Sequence, residues 1–314
     1  GSGDPQAYDY HGVDCPCVFF HDGYWWMLHV GFDGVGYHSA YAFSDDLLHW
    51  EKQGTNFSWG PPGAWDAVSA AGFWVLREND LHRPYPKQYD GRYWMAYQAY
   101  PGKGYEVGPG RLGLAWSTNL WHWERAQEQP ILEPEDGEEW ERAGLYKPCL
   151  LEHEGTFYLF YNAKNRESGW IEQTGLATSR DLQHWQRHPD NPLLRVGPRG
   201  SWRQDFVSDP AIYRLGDVWI NAFFGAHFEP GCSRAEGGLA ASTDLIHWEI
   251  APEPLLPVGP AGSLDEKYAH KSSLIEHAGV LYHFYCAVRP KHSPDEPGVG
   301  NEYRTIAVAT SRPM

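Results

Sequence analysis

The sequence lacks any uninterrupted apolar stretch of about 18 residues, the length that a membrane-spanning helix requires. Apolar residues at helical spacing are nearly absent, which argues against a helical fold. Methionine is scarce, at 3 of 314 residues, and the 25 Lys and Arg are outnumbered by 41 Asp and Glu. The net charge of −16 disfavours nucleic acid and anionic membranes as partners.

Cysteine is limited to positions 15, 17, 149, 232 and 286. An odd number in so long a chain argues against a disulfide-stapled miniprotein. The Cys15-Pro16-Cys17 spacing is too tight for a zinc pair, so we expect buried free thiols and no metal site. No secretion signal is visible after the opening Gly1-Ser2-Gly3. We expect a secreted or periplasmic protein whose leader has been removed.

Aromatic residues, by contrast, are abundant, with 16 Trp, 19 Tyr and 13 Phe, and many of them lie in a repeat. The pattern Ser-x-Asp/Asn-Leu-x-His-Trp begins at Ser44, Ser117, Ser179 and Ser242, and a truncated fifth copy includes Ser311. The spacings of these serines are 73, 62, 63 and 69 residues. A period of this size indicates a repeat architecture.

A second motif precedes most copies of the first: an apolar strand, a tight turn and an aromatic strand. Asp22-Gly23, Glu154-Gly155 and Ala278-Gly279 occupy the turns and are typical of β-hairpins. Each repeat therefore predicts four antiparallel strands. The sequence predicts an all-β fold, a five-bladed β-propeller of four-stranded antiparallel blades, forming a single domain over residues 1–314.

The Ser-x-Asp-Leu repeat has a structural interpretation that we prefer to a catalytic one. Asp and Asn suit the turn between the third and fourth strands, and Trp suits packing on the outer strand. A catalytic residue would not be needed four times. Function is expected instead on the opposite face, where the repeats differ from one another.

On that face, the starts of the innermost strands ring the predicted axis. Asp14 and Asp209 are the carboxylates among them, and we predict a catalytic role for both, together with His270. We expect Lys147 and Lys271 to pair with these carboxylates. The predicted substrate-binding residues on neighbouring strand ends, loops and connectors are Lys147, Lys271, Arg304, Glu302, His227, Glu141, Gln98 and Asn162.

Several of these residues have a second interpretation that the sequence leaves open. Asp66, Glu141 and Asp265 belong to similar connectors and suit a structural role equally. His270 could hold a water or a cation on the axis instead of moving a proton. Glu302 and Arg304 could simply pair with each other.

The repeated hairpins and the Ser-x-Asp-Leu-x-x-Trp pattern resemble the five-bladed β-propeller glycoside hydrolases of families 43, 32, 62, 68, 117 and 130. The resemblance covers the whole chain. It implies that Asp14 is the base or nucleophile and that Asp209 tunes or orients. The usual Glu acid has no clear counterpart at Tyr146-Lys147-Pro148, so His270, Glu141, Glu229 and Glu302 are the candidate proton donors.

This resemblance implies an exo-acting glycoside hydrolase that cleaves an oligo- or polysaccharide with carboxylate chemistry in a central pocket. One alternative is a glycoside phosphorylase of the family 130 type, with Lys147, Lys271 and Arg304 binding phosphate. Another is a sugar-binding propeller without catalysis. No cofactor is required, although a structural cation or water could lie on the axis. The expected partner is a carbohydrate.

Overall fold

The computed structural model describes residues 3–165, 170–229 and 232–313, and almost all of its regular structure is β-strand. Within these ranges the helical elements are two short 3₁₀ turns, Pro134–Asp136 and Glu139–Glu141. No helix in the described part of the chain is long and apolar enough to cross a membrane. The all-β prediction is therefore confirmed.

The strands form five successive antiparallel units. The first unit contains β1 (Gly12–His21), β2 (Tyr24–Phe32), β3 (Tyr37–Ser44) and β4 (Glu51–Phe57). The second contains β5 (Ala71–Val75), β6 (Gln88–Tyr89), β7 (Arg92–Ala99), β8 (Arg111–Ser117) and β9 (Glu124–Arg125). The third contains β10 (Gly144–His153), β11 (Thr156–Lys164), β12 (Glu172–Ser179) and β13 (Gln186–Arg187).

The last two units continue the pattern. The fourth contains β14 (Phe206–Ser208), β15 (Ile212–Leu215), β16 (Val218–Glu229), β17 (Cys232–Ser242) and β18 (Glu249–Ile250). The fifth contains β19 (Tyr268–His277), β20 (Val280–Pro290) and β21 (Glu302–Thr310). Short parallel pairings of β12 with β14 and of β17 with β19 join the last three units into one hydrogen-bonded sheet. The number of blades therefore stays a prediction.

Contacts between the first and fifth units bring the two ends of the strand series together. Strand β1 packs against β19, β20 and β21. The backbone N–H of Val18 on β1 donates a hydrogen bond to the Ser273 hydroxyl on β19, at 3.0 Å. The inner strands of sequence-distant units therefore share one central region, as a propeller requires.

The predicted hairpin turns have the backbone conformation that two-residue β-turns need. Asp22 and Gly23 both have positive φ, at 48° and 84°, and Ala278 and Gly279 repeat this at 51° and 74°. Two successive positive φ angles define the type I′ turn, whose twist matches that of the flanking strands.

A bulge interrupts the innermost strand of four units at the same place. The strand register shifts after Asp14, after Tyr146 and after His270, and the first strand of the fourth unit is divided in two at this level. Cys15, Lys147, Asp209 and Lys271 occupy the left-handed positions, with φ of 51°, 51°, 56° and 62°. Bulges re-aim side chains, and here they direct these residues towards the axis.

The Ser-x-Asp-Leu repeat is structural, as predicted. The Ser44 hydroxyl accepts hydrogen bonds from the backbone N–H groups of Asp46 and Leu47. One carboxylate oxygen of Asp46 accepts from the N–H groups of Leu48 and His49. The Trp50 indole N–H donates to the Leu47 carbonyl. The copies that begin at Ser179 and Ser242 make the same bonds, so the motif closes the outer turn of a repeat.

All five cysteines are free thiols, as expected. Four of them are buried, but Cys232 is exposed, so the expectation of burial was wrong at that position.

The connector carboxylates also have structural roles. Glu141 accepts a hydrogen bond of 2.7 Å from the Tyr161 hydroxyl and pairs with Arg187 Nε at 2.7 Å. Asp66 has the same kind of partners, Tyr97 and Arg125. Asp265 accepts from the Tyr285 hydroxyl. These buried contacts tie a connector to the second strand of the next unit, and they support the structural interpretation.

Replacing Glu141 with Ala is expected to destabilise the protein by about 2 kcal/mol or more, because the Tyr161 hydroxyl and the Arg187 guanidinium lose a charged partner. Urea unfolding measures this loss. Glu138→Ala is the matched control, because Glu138 is an exposed neighbour whose side chain makes no capping hydrogen bond. Equal stability of the two variants would contradict the structural role of Glu141.

Candidate active site

A cavity of about 310 Å³ opens where the third strands begin. Its lining combines aromatic rings with charged groups of both signs. The lining residues are Tyr105, Glu106, Lys147, Trp170, Glu172, Phe206, Phe224, Phe228, Ala235, Tyr268, His270, Lys271, Glu302 and Arg304. Aromatic faces can stack on sugar rings, and carboxylates can perform acid–base chemistry.

Asp14 lies behind this lining, in a buried ion cluster. Its Oδ2 pairs with Lys271 Nζ at 2.5 Å and with Arg304 Nη1 at 3.3 Å, and its Oδ1 accepts a hydrogen bond from the Cys15 N–H. Burial alone would raise the pKa of Asp14, but the charges of Lys271 and Arg304 outweigh it and hold this pKa well below its usual range. Asp14 is thus ionised, with both oxygens engaged.

Asp209 occupies the next bulge around the axis and pairs with Lys147 Nζ at 2.8 Å. The predicted pairing of both axial carboxylates with Lys147 and Lys271 is confirmed. Burial raises the pKa of Asp209, although Lys147 opposes this effect. The two aspartates thus differ in proton affinity despite their similar positions.

A second, much smaller cavity of about 30 Å³ lies on the axis between these bulges. Lys147, Lys271, Asp209 and Cys15 are among the residues that line it. Its volume suits a single water molecule. Two ammonium groups in its wall disfavour a bound cation.

His270 lines the large cavity, but it is set up as a neutral ring. Its Nδ1 lies 3.0 Å from the Cys286 carbonyl, which can only accept, so the ring hydrogen sits on Nδ1. Burial, with the charge of Lys271, lowers the pKa of His270 well below its usual value. At neutral pH the other ring nitrogen, Nε2, therefore carries a lone pair, which disfavours the proton-donor role.

Glu106 and Glu172 approach each other through a single lysine. Lys164 Nζ lies 2.8 Å from Glu106 Oε2 and 3.4 Å from Glu172 Oε1. The separation of these two oxygens therefore cannot exceed the sum of these distances. Lys164 also faces the rings of Tyr146 and Trp170, at 4.3 and 4.4 Å.

The two glutamates differ in how their oxygens are used. Glu172 accepts hydrogen bonds from Asn162 Nδ2 at 2.9 Å, Trp170 Nε1 at 2.9 Å and Ser208 Oγ at 2.8 Å. Glu106 bonds through one oxygen only, to Lys164. Burial would raise the pKa of Glu106, but Lys164 and Lys147 lower it to about 2. Glu106 is left-handed, at φ 52°, a strained conformation that is often found at functional sites.

Glu302 and Arg304 pair with each other, one of the two predicted alternatives. Arg304 Nη2 lies 2.6 Å from Glu302 Oε2, and Lys267 Nζ lies 2.5 Å from Glu302 Oε1. Burial opposes ionisation of Glu302, but these cations lower its pKa. Both residues also line the large cavity, so pairing does not remove them from the site.

Four predicted binding residues do not line the cavity. Glu141 is buried in its connector, and His227 bonds to the Ser201 carbonyl. Gln98 accepts a hydrogen bond from the Lys147 N–H, and Asn162 donates to Glu172. Gln98 and Asn162 therefore support cavity residues from behind, whereas Glu141 and His227 are not brought to the site.

Glu106 and Glu172 stand out in the sequence only as acidic residues near third-strand starts, along with Glu236. The strand register distinguishes Glu172 from Glu236. Glu172 lies opposite Lys164, the last residue of β11, whereas Glu236 lies opposite Gly225, inside β16. Side chains alternate between the faces of a sheet, so small differences in register decide which acid faces the cavity. Glu236 instead accepts a hydrogen bond from the Val258 N–H.

Comparison with known proteins agrees with this architecture. The sequence profile described as "Glycosyl hydrolases family 32 N-terminal domain" matches residues 78–256. A 1,2-beta-oligomannan phosphorylase of Thermoanaerobacter sp. (strain X514) is 27% identical over 132 residues. That match covers 40% of this chain and 43% of the relative, so the chain spans less than half of that protein.

Solved structures extend the similarity to nearly the whole chain. One described as "Glycoside hydrolase" is 33% identical, with a TM-score of 0.82, and covers 98% of this chain and 89% of that one. A structure of a complex between BT0996 and RGII is 34% identical, with a TM-score of 0.83 and the same coverage. A family 117 glycoside hydrolase of Zobellia galactanivorans shares the fold at 15% identity and a TM-score of 0.65, over 96% of this chain and 87% of that one.

The profile match spans more than half of the sequence, and the fold and the carboxylate-lined cavity agree with it. The chain belongs to the family of the glycosyl hydrolase family 32 N-terminal domain, among the propeller glycoside hydrolases.

Proposed function

We propose that this protein is an exo-acting glycoside hydrolase that removes a terminal sugar from an oligo- or polysaccharide. The observation that carries the proposal is the cavity of about 310 Å³, in which three glutamates are interleaved with aromatic rings. A cavity of this size admits one sugar ring more readily than a continuous chain. We also infer that the five antiparallel units are the blades of one five-bladed, single-domain propeller.

In this proposal Glu106 is the ionised carboxylate that acts as nucleophile or base, and Glu172 protonates the leaving oxygen. Glu106 has one oxygen without a hydrogen-bond partner among the described residues, and Lys164 keeps its charge stable. The shared lysine brings the two carboxylates to a separation of the kind that glycosidases use. Asp14 acts by positioning Lys271 and Arg304, a change from the catalytic role that we predicted for it.

The charge pairing favours hydrolysis over phosphorolysis. Lys147, Lys271 and Arg304 are the cations that would bind phosphate, and each already pairs with a buried carboxylate. A dianionic phosphate would have to displace one of these carboxylates and leave it without a charge partner, which is costly. The same pairing argues against a uronic acid as the substrate.

RGII is the first substrate to test, because it is the ligand named for the complex whose protein is 34% identical over 98% of this chain.

Replacing either Glu106 or Glu172 with Gln is expected to lower kcat/KM on RGII by about 100- to 10,000-fold, because a positioned acid or base is lost. The measurement is release of the terminal sugar. Glu236→Gln is the matched control and should retain activity, because Gln173 already makes the equivalent bond to the Val196 N–H in the third unit. Full activity of both cavity variants would remove these residues from the mechanism.

The turnover rate is expected not to depend on inorganic phosphate. The assay compares the rate and the products with and without phosphate at constant ionic strength, and the product should be the free sugar in both. A sugar 1-phosphate product that forms only with phosphate would identify a phosphorylase.

Replacing Asp14 with Asn is expected to lower stability as well as activity, because Lys271 loses its buried charge partner. The stability loss should be about 3 kcal/mol or more. Urea unfolding and kcat/KM of the same preparation test this together. A variant of native stability with a large loss of kcat would instead support the catalytic role first predicted for Asp14.

A further inference from the structure

Ser208 lies between two carboxylates, at the centre of the buried part of the site. Its Oγ is 2.8 Å from Glu172 Oε2 and 3.2 Å from Asp209 Oδ1. The Ser208 side chain is fully buried, and Glu172 and Asp209 are nearly so. The three groups therefore exchange hydrogen bonds with one another rather than with bulk solvent.

A hydroxyl group has one hydrogen to donate. If Glu172 and Asp209 were both ionised, Ser208 could donate to only one of them, and its oxygen would face the other with lone pairs on both sides. If one carboxyl carries a proton, that carboxyl donates to Ser208 and Ser208 donates to the other. Both contacts then become hydrogen bonds.

The charges that face these groups agree with one stored proton. Lys164 and Glu106 face Glu172, whereas Lys147 and Lys271 face Asp209, and Asp14 pairs with Lys271. Arg304 and Glu302 form a further pair that adds no net charge. Three lysines thus meet four carboxylates, so one proton balances a buried cluster in which excess charge is costly.

We propose that Ser208 is a positioning residue that lets Glu172 and Asp209 hold one proton between them at neutral pH. This inference rests on the proposed function, because the stored proton is the one that the leaving group takes. As the bond between the anomeric carbon and the glycosidic oxygen breaks, its electron pair stays on that oxygen, which receives the proton from Glu172. Asp209 and Ser208 can pass a hydrogen along the same chain to Glu172. Burial raises the pKa of Asp209 in the direction that this storage requires.

The test uses infrared difference spectroscopy of the unliganded full chain, which does not depend on turnover. Wild type minus Glu172→Gln at pH 7 should show one carboxylic-acid C=O band that shifts in heavy water. In Ser208→Ala the pH at which this band titrates should fall by about one unit, because the neutral carboxyl loses its hydrogen-bond acceptor. Ser208→Thr, which keeps the hydroxyl, should restore it. Ser69→Ala is the matched control, since it removes a buried hydroxyl that has no hydrogen-bond partner among the described residues.

The absence of this band in wild type, or a band whose titration is the same in Ser208→Ala, would overturn the proposal. The pH–rate profile provides the second readout, and its basic limb should move down by about one unit in Ser208→Ala but not in Ser69→Ala. An unchanged basic limb in Ser208→Ala would also overturn it. Failure of the proposed function has a different signature, because inactivity of wild type on glycosides would leave the infrared band unaffected.

Discussion

Buried ion pairing around the axis is the constraint on which the rest of the site depends. Removing several charges from water is costly unless each is matched in sign and held by hydrogen bonds. Lys271 of the fifth unit pairs with Asp14 of the first, and Lys147 of the third pairs with Asp209 of the fourth. The charges of one unit are therefore neutralised only when its neighbours are in place. This dependence links assembly of the ring to assembly of the cavity.

The same pairing limits what the cavity can bind. Its cations are already neutralised, so the remaining selectivity lies in the aromatic lining and in the carboxylates. Phe206, Phe224 and Phe228 form one wall, and Glu106 belongs to the part of the lining that carries the charge. A neutral sugar with one apolar face is compatible with both parts, whereas an anionic one would compete with Asp14 for Lys271 and Arg304.

Much of the fold could be predicted because it depends on local rules. The Asp22-Gly23 turn requires positive φ at two residues, and the Ser44 turn depends on a serine and an aspartate at fixed spacing. The pairing of Lys271 with Asp14 was also predictable, because both follow from the repeat alignment.

The proposed catalytic pair was harder to predict, because its geometry depends on a loop and on register. Glu106 lies in a loop between β7 and β8 with left-handed backbone, which no repeat specifies. Glu172 was one of several similar acids, and only its position opposite Lys164 directs it to the cavity. In the second unit, Ala71 rather than Ser69 stands opposite Gln98, so the sequence alignment of that strand entry was shifted by two residues. Such shifts are invisible when the first strand is short and a long loop follows it.

The most direct test of this account is a crystal structure of the Glu172→Gln variant with an RGII oligosaccharide bound. The account predicts a terminal sugar in the cavity, with its anomeric carbon beside the oxygen of Glu106 that does not contact Lys164, and the glycosidic oxygen within hydrogen-bond distance of residue 172. A sugar bound elsewhere, or one whose anomeric carbon faces Asp14 after Lys271 has moved aside, would contradict the assignment of Glu106 and Glu172.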